Sequence, residues 1–99
     1  MTRAPQVYIV AYDIVGPGRL KAVYKTMRGF GDHLQYSVFR CVLSDLQLAR
    51  LKDKLVAIID PDEDQVMFVP LGKADARRSW RAFTLGAPLQ HPERVVKIL

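Results

Sequence analysis

Nine residues near the N-terminus, Gln6 to Ile14, limit this chain more than any other stretch. The run QVYIVAYDI is nearly all β-branched, aromatic or small and apolar, so it reads as a strand. An almost unbroken apolar run suits a central strand covered on both faces. Asp13 interrupts it. An ionised carboxylate in such a strand is costly unless it meets a cation, a donor or water. Strand ends are also where α/β sheets place ligand chemistry. Asp13 is therefore the first candidate functional residue, and the chain beyond it is read for what holds it and what it meets.

A Gly-Pro-Gly turn, Gly16 to Gly18, leads into a helix expected over about Gly18 to Phe30, with Pro17 at its first position. Leu20, Val23, Tyr24, Met27 and Phe30 recur at spacings of three and four and form its inward face. Lys21, Lys25 and Arg28 share another face as a basic ridge, and Gly31 is the expected left-handed cap. The run from His33 to Leu43 is β-rich, as one strand or as a tight hairpin. Ser44 caps a second helix running to about Ile59, with Leu48, Leu51, Leu55 and Ile58 inward. Gln65 to Leu71 is a further strand, and Pro70 suggests an edge. Gly72 to Leu89 has no decisive pattern: Ala74 to Phe83 could form a short helix bearing Arg77, Arg78 and Arg81, broken by Gly86 and Pro88. Val95 to Leu99 reads as a terminal strand that needs an edge, which a neighbouring copy would supply. The order matches a split βαβ, ferredoxin-like α+β fold, βαββαβ with an extra C-terminal strand. Its free apolar sheet face invites a homodimer.

Ninety-nine residues make one domain, 1–99, with a core of about 6–72 and an extension, 73–99, expected to pack on the dimer partner. No apolar run approaches the roughly 20 residues of a membrane helix. The opening MTRAPQ lacks a signal peptide's apolar stretch, and a single cysteine, Cys41, rules out an internal disulfide. A cytoplasmic protein is expected. Fifteen Lys and Arg against ten Asp and Glu leave a net charge of +5, which favours a polyanionic partner, most often nucleic acid.

The ordered set Tyr12-Asp13-Ile14, Arg19 to Lys25, Gly29-Phe30-Gly31, Gln35 to Phe39, Asp60-Pro61 and Glu63 to Val66 resembles the CRISPR-associated protein two family. His91 to Arg94 looks like the tail of one of its branches. The resemblance implies a ferredoxin-like homodimer and a magnesium-dependent endonuclease activity on RNA or DNA, with manganese as a substitute ion. It also implies a place beside the CRISPR integrase in spacer acquisition. The family's metal-binding aspartate falls on Asp13 and its basic position on Arg19. Its QYSVF segment falls on Gln35 to Phe39; Ser37 and Phe39 within it, and Tyr12 beside Asp13, are expected as supporting or interface residues, and Tyr36 and Trp80 as core or interface rings. Leu20 and Ala22 interrupt the denser arginine cluster that many members carry.

One Asp per chain is a thin site for magnesium, which takes one or two carboxylates besides water and phosphate. A dimer axis between the first strands would supply a second Asp13. The duller role for Asp13 is to cap the following turn. Arg19 would clamp a phosphate. The ridge Lys21, Lys25 and Arg28, with Arg77 and Arg78, would contact phosphates. Asp60, Asp62 and Asp64 imitate a calcium loop, but Gln65 stands where glycine is needed and Leu71 where glutamate is needed. That acidic turn is expected to be solvated or to meet basic residues of a twin subunit. His33 and His91 stand alone, so nothing in the spacing provides Ser37 with a base. Aromatics are not interleaved with basic residues, so binding is expected through backbone and shape and not through stacked bases. The alternative functions are a non-catalytic DNA-binding scaffold that bridges integrase dimers and a ferredoxin-like sensor of a small ligand.

Overall fold

The Gln6 stretch forms β1, Gln6–Asp13, a central strand of a four-stranded antiparallel sheet in the computed structural model. The structure describes residues 3–75, 77, 79–87 and, as backbone, 95–98. The remaining elements are α1 (Pro17–Arg28), β2 (Gly31–Gln35), β3 (Val38–Leu43), α2 (Asp45–Val56), β4 (Gln65–Lys73), β5 (Ala82–Leu85) and β6 (Val95–Ile98). Strand order β2-β3-β1-β4 is the split βαβ arrangement expected. The β-rich run is a hairpin, turning at Tyr36 and Ser37. No glycine marks that turn, because Tyr36 itself takes a positive φ of 29°.

Alternation along β1 sends Tyr8, Val10 and Tyr12 to one face, where they join Phe39, Cys41 and Leu43 of β3. Val23 and Met27 of α1 and Leu51 and Leu55 of α2 complete that core. Ser44 accepts from the Gln47 N–H while Gln47 reaches back to the Ser44 N–H, a capping box that starts α2 where expected. Cys41 lies in the core, and burial pushes its thiol up to about 11, so it is an inert packing group.

Several expectations change. β1 is not covered on both faces by its own chain: the helices take one face, and Met67, Val69, Leu71 and Val42 stay exposed. Pro70 does lie on an edge strand, β4. No helix forms among the described residues between Ala74 and Phe83; β5 begins at Ala82, and Trp80 lies under Arg40, its ring 4.6 Å from the guanidinium carbon. β6 finds its edge in the same chain, pairing parallel with β5. The His91–Arg94 segment lies outside the described residues.

Gly31 is not a helix cap. α1 ends at Arg28, and its C-cap Gly29 stays right-handed at φ −81°. Gly31 instead opens β2 opposite Cys41, where a Cβ would sit 2.5 Å from the Arg40 carbonyl oxygen and the Cys41 sulfur. A β-strand backbone cannot retreat from that overlap. Gly31→Ala is expected to cost about 1–3 kcal/mol, the scale of overpacking. Gly29→Ala, at an ordinary helical φ, should be neutral or stabilising. Urea midpoints of the two variants test the contrast.

Candidate active site at the end of the central strand

Asp13 is the last residue of β1, opposite Gln65 of β4, and is exposed. No described residue donates to its carboxylate. The turn-capping role that competes for it is filled by another acid, Asp64. One Asp64 oxygen accepts the Val15 N–H at 2.9 Å; the other accepts the Asp60 N–H at 2.8 Å. Arg19 Nε donates to the second oxygen at 2.7 Å, and Arg19 Nη2 reaches the first at 3.4 Å. Glu63 takes Nη2 as well, at 3.1 Å. The expectation that this acidic turn is solvated or meets a twin subunit is therefore corrected for Asp64, which is buried on a cation of its own chain; Glu63 stays exposed while touching the same guanidinium. Asp62 closes on Asp60 through its N–H, as an Asx turn.

Arg19 differs from expectation too. Its guanidinium lies across Gly16, where a Cβ would come within 2.8 Å of it, and it is engaged by acids before any phosphate arrives. Only Nη1 makes no bond to a described residue. A side chain at position 16 would have to push the Arg19 guanidinium aside.

Tyr12, beside Asp13, is buried and stacks on Phe39 with centroids 6.3 Å apart. Its N–H donates to the Ser37 carbonyl at 3.0 Å. Burial pushes the Tyr12 phenol up, and a hydrogen bond to Ser37 works against that shift. Phe39 is fully buried and also meets His33 at 4.9 Å and Tyr24 at 5.9 Å. His33 Nε2 donates to the Tyr36 carbonyl at 2.7 Å, so that nitrogen carries its proton and is no base for Ser37. Tyr36 is left 93% exposed on a backbone whose positive φ costs on the order of 1–3 kcal/mol for a bulky residue. Tyr24 and His33 were not picked out as site residues, because nothing in their spacing joins them to Asp13; Tyr36 and Asp64 fall within the resembling motifs but carry no site role there, and Tyr36, which reads as a core or interface ring, is exposed in this chain.

Lys21, Lys25 and Arg28 are exposed along α1 as a ridge; Arg28 also bonds the Tyr24 hydroxyl at 3.2 Å. Arg77 is exposed and leans on Asp75 at 3.5 Å, far looser than the Arg19 pair. Arg78 lies outside the described residues.

A divalent ion fits what one chain offers only in part. Among the described residues no three His, Cys, Asp or Glu side chains gather in a group able to hold a metal. At this strand end Asp13 presents a solvent-facing carboxylate that no described residue bonds, which suits magnesium's habit of keeping waters and one or two carboxylates.

An antiparallel βαββαβ domain with one unpaired acid closing its central strand defines a class of small α+β proteins. Residues 6–79 match the family described as CRISPR associated protein Cas2, and the chain belongs to that family. It is 45% identical over 64 residues to the CRISPR-associated endoribonuclease Cas2 2 of Thermodesulfovibrio yellowstonii, covering 65% of this chain and 70% of that one. A Rhodospirillum rubrum protein, CRISPR-associated endoribonuclease Cas2 1, is 39% identical over 74 residues, 75% of this chain and 72% of its own. The crystal structure of Streptococcus pyogenes Cas2 superimposes with a TM-score of 0.63 at 32% identity, covering 67% of this chain and 86% of the other.

The Asp64 clamp has a pH signature. Its folded pKa is held down to about 2, first by the Arg19 hydrogen bond, from an ordinary 3.8. A depressed carboxylate adds stability above its unfolded pKa and loses it as pH falls through the folded value. The urea midpoint should therefore drop between about pH 4 and about pH 2, and Asp64→Asn should start lower at pH 7 and drop less over that window. Equal acid sensitivity of the two proteins would contradict the clamp.

Proposed function

We propose that this protein is a magnesium-dependent endoribonuclease that acts as a homodimer in CRISPR spacer acquisition beside the integrase. The carrying observation is the exposed Asp13 carboxylate, left without a partner because Asp64 performs the capping that the turn requires. Family membership and the relatives' name, endoribonuclease, support the reaction class. The open apolar face carrying Met67, Val69 and Leu71 supports self-association, which would bring a second Asp13 to the same ion. Manganese would serve in place of magnesium.

Within one chain Asp13 is the residue to hold such an ion. When bound, a divalent ion supplies charge to a phosphate oxygen and acidity to a water. Lys21, Lys25 and Arg28 would hold the sugar–phosphate backbone along α1, with Arg77 and Arg78 as further contacts. Tyr12, Ser37 and Phe39 act behind Asp13: their packing and the Tyr12–Ser37 backbone bond fix where the strand ends. Asp64 and Arg19 set the direction in which the chain leaves that end.

A second reading is favoured by one observation, the solvent-facing ridge beside a single carboxylate. It is a DNA-binding scaffold that bridges integrase dimers without cutting. Cleavage assays separate the two. Asp13→Ala should lower magnesium-dependent cleavage by about two orders of magnitude or more, since the ion's charge stabilisation is worth several kcal/mol. Its urea midpoint and sedimentation should stay those of the parent. Undiminished cleavage by that variant sinks the nuclease reading at Asp13.

Binding should also weaken with salt. Each of Lys21→Ala, Lys25→Ala and Arg28→Ala should lower the log–log salt slope for single strands by about 0.7. Unchanged slopes would mean that the ridge touches no phosphate.

A further inference from the structure

We propose that a hollow between the start of α1 and the β2–β3 turn holds one unstacked nucleobase of single-stranded RNA. Tyr36 is its stacking platform, and Lys21 meets the adjoining phosphate. The proposal rests on the endoribonuclease reading and adds what that reading lacks, a means of selecting unpaired strand.

The hollow has a volume of about 390 Å³, within the roughly 300–1,000 Å³ range of small-ligand sites. Its walls are the rings of Tyr12, Tyr24 and Tyr36, with Leu20 and Pro17. Leu20, expected on the inward face of α1, is instead 39% exposed in this hollow. Lys21 is the one charged residue among those lining it, and no carboxylate does. Aromatic walls with a lone cation suit a flat aromatic ligand carrying an anion, which describes a nucleotide unit. A cationic ligand would find no counter-charge.

Tyr36 singles out stacking, which the spacing of aromatics along the chain gave no reason to expect, because only the fold brings Tyr12, Tyr24 and Tyr36 together. A turn with a positive φ is ordinarily built from glycine or asparagine, yet a tyrosine stands here almost fully in water. Its backbone is not loose, since the buried His33 ring holds its carbonyl at 2.7 Å. A ring carried on a braced backbone loses less freedom on stacking than one on a mobile loop. Duplex bases offer no open ring face, so the occupant is an unpaired base. From the hollow, Lys25 and Arg28 continue along α1 from Lys21, and Asp13 follows Tyr12 directly in the chain. A strand anchored by its base would thus run along the basic ridge, while Asp13, alternating with Tyr12, belongs to the other face of β1.

Binding measured in EDTA, where cleavage is suppressed, tests this by fluorescence anisotropy. The probes are labelled oligouridylate, an abasic ribose-phosphate strand of equal length, duplex RNA and oligothymidylate. The parent protein should prefer oligouridylate to the abasic strand. Tyr36→Ala should lose about five-fold or more on oligouridylate, with abasic binding unchanged, and Tyr36→Phe should retain the preference. Tyr36→Gly should lose the same binding while raising the urea midpoint, a split that a purely structural tyrosine would not produce. Equal affinity for based and abasic strands, or Tyr36→Ala binding as the parent does, overturns the site. Tyr36-dependent binding to oligothymidylate but not to oligouridylate overturns the assignment to RNA. A protein that stacks oligouridylate yet cuts nothing supports the site and sinks only the nuclease reading.

Discussion

The Asp64 carboxylate is the contact on which the functional end of this molecule depends. It gathers two backbone N–H groups and a guanidinium from three separate pieces of chain: the β1–α1 turn, the 60–64 turn and the first turn of α1. A buried carboxylate is tolerable only when every direction around it offers a donor, and here each oxygen has at least two. The same neighbours, the Arg19 hydrogen bond first, hold its pKa down to about 2. With that corner closed by Asp64, Asp13 two residues earlier than Val15 has no structural duty to perform. The acid most available for chemistry is available because another acid is not.

Behind the strand end, an aromatic cluster sets position. Phe39 is wholly buried among Tyr12, Tyr24 and His33, in offset or edge-on contacts. His33 spends its Nε2 proton on the Tyr36 carbonyl, linking this cluster to a turn whose backbone is under strain. The QYSVF segment therefore has a physical reading. Ser37 supplies a carbonyl to β1, Phe39 supplies the packing centre, and Tyr36 is presented outward.

The sheet divides its two faces unequally. Both helices pack on the face carrying Val10 and Tyr12, while residues of β4 such as Met67 and Leu71 remain in contact with water. The parallel β5–β6 pair forms within the chain, so the terminal strand does not need a second copy for its hydrogen bonds. The open face keeps Met67, Val69 and Leu71 exposed in the single chain.

Periodicity along the chain was enough to read the order of elements through β4, most of the inward faces of both helices though not Leu20, the Ser44 cap and the isolation of Asp13 in an apolar strand. Those features follow from neighbours within a turn or two, and local spacing encodes them directly. The hairpin turn was hidden because Tyr36 occupies a backbone region normally signalled by glycine. The 74–83 segment resembled a helix, yet Trp80 is drawn to Arg40 of β3. Partner choice was the least legible: Arg19 reads as a phosphate clamp until Asp64, 45 residues away, is brought against it. Likewise Tyr24, Tyr36 and Lys21 form one hollow only after α1 is laid on the sheet. The sequence by itself determined which stretches form the core elements and which acid interrupts the central strand. The tertiary structure decided which distant charges and rings meet, because those pairings depend on how packed elements converge and leave no period along the chain.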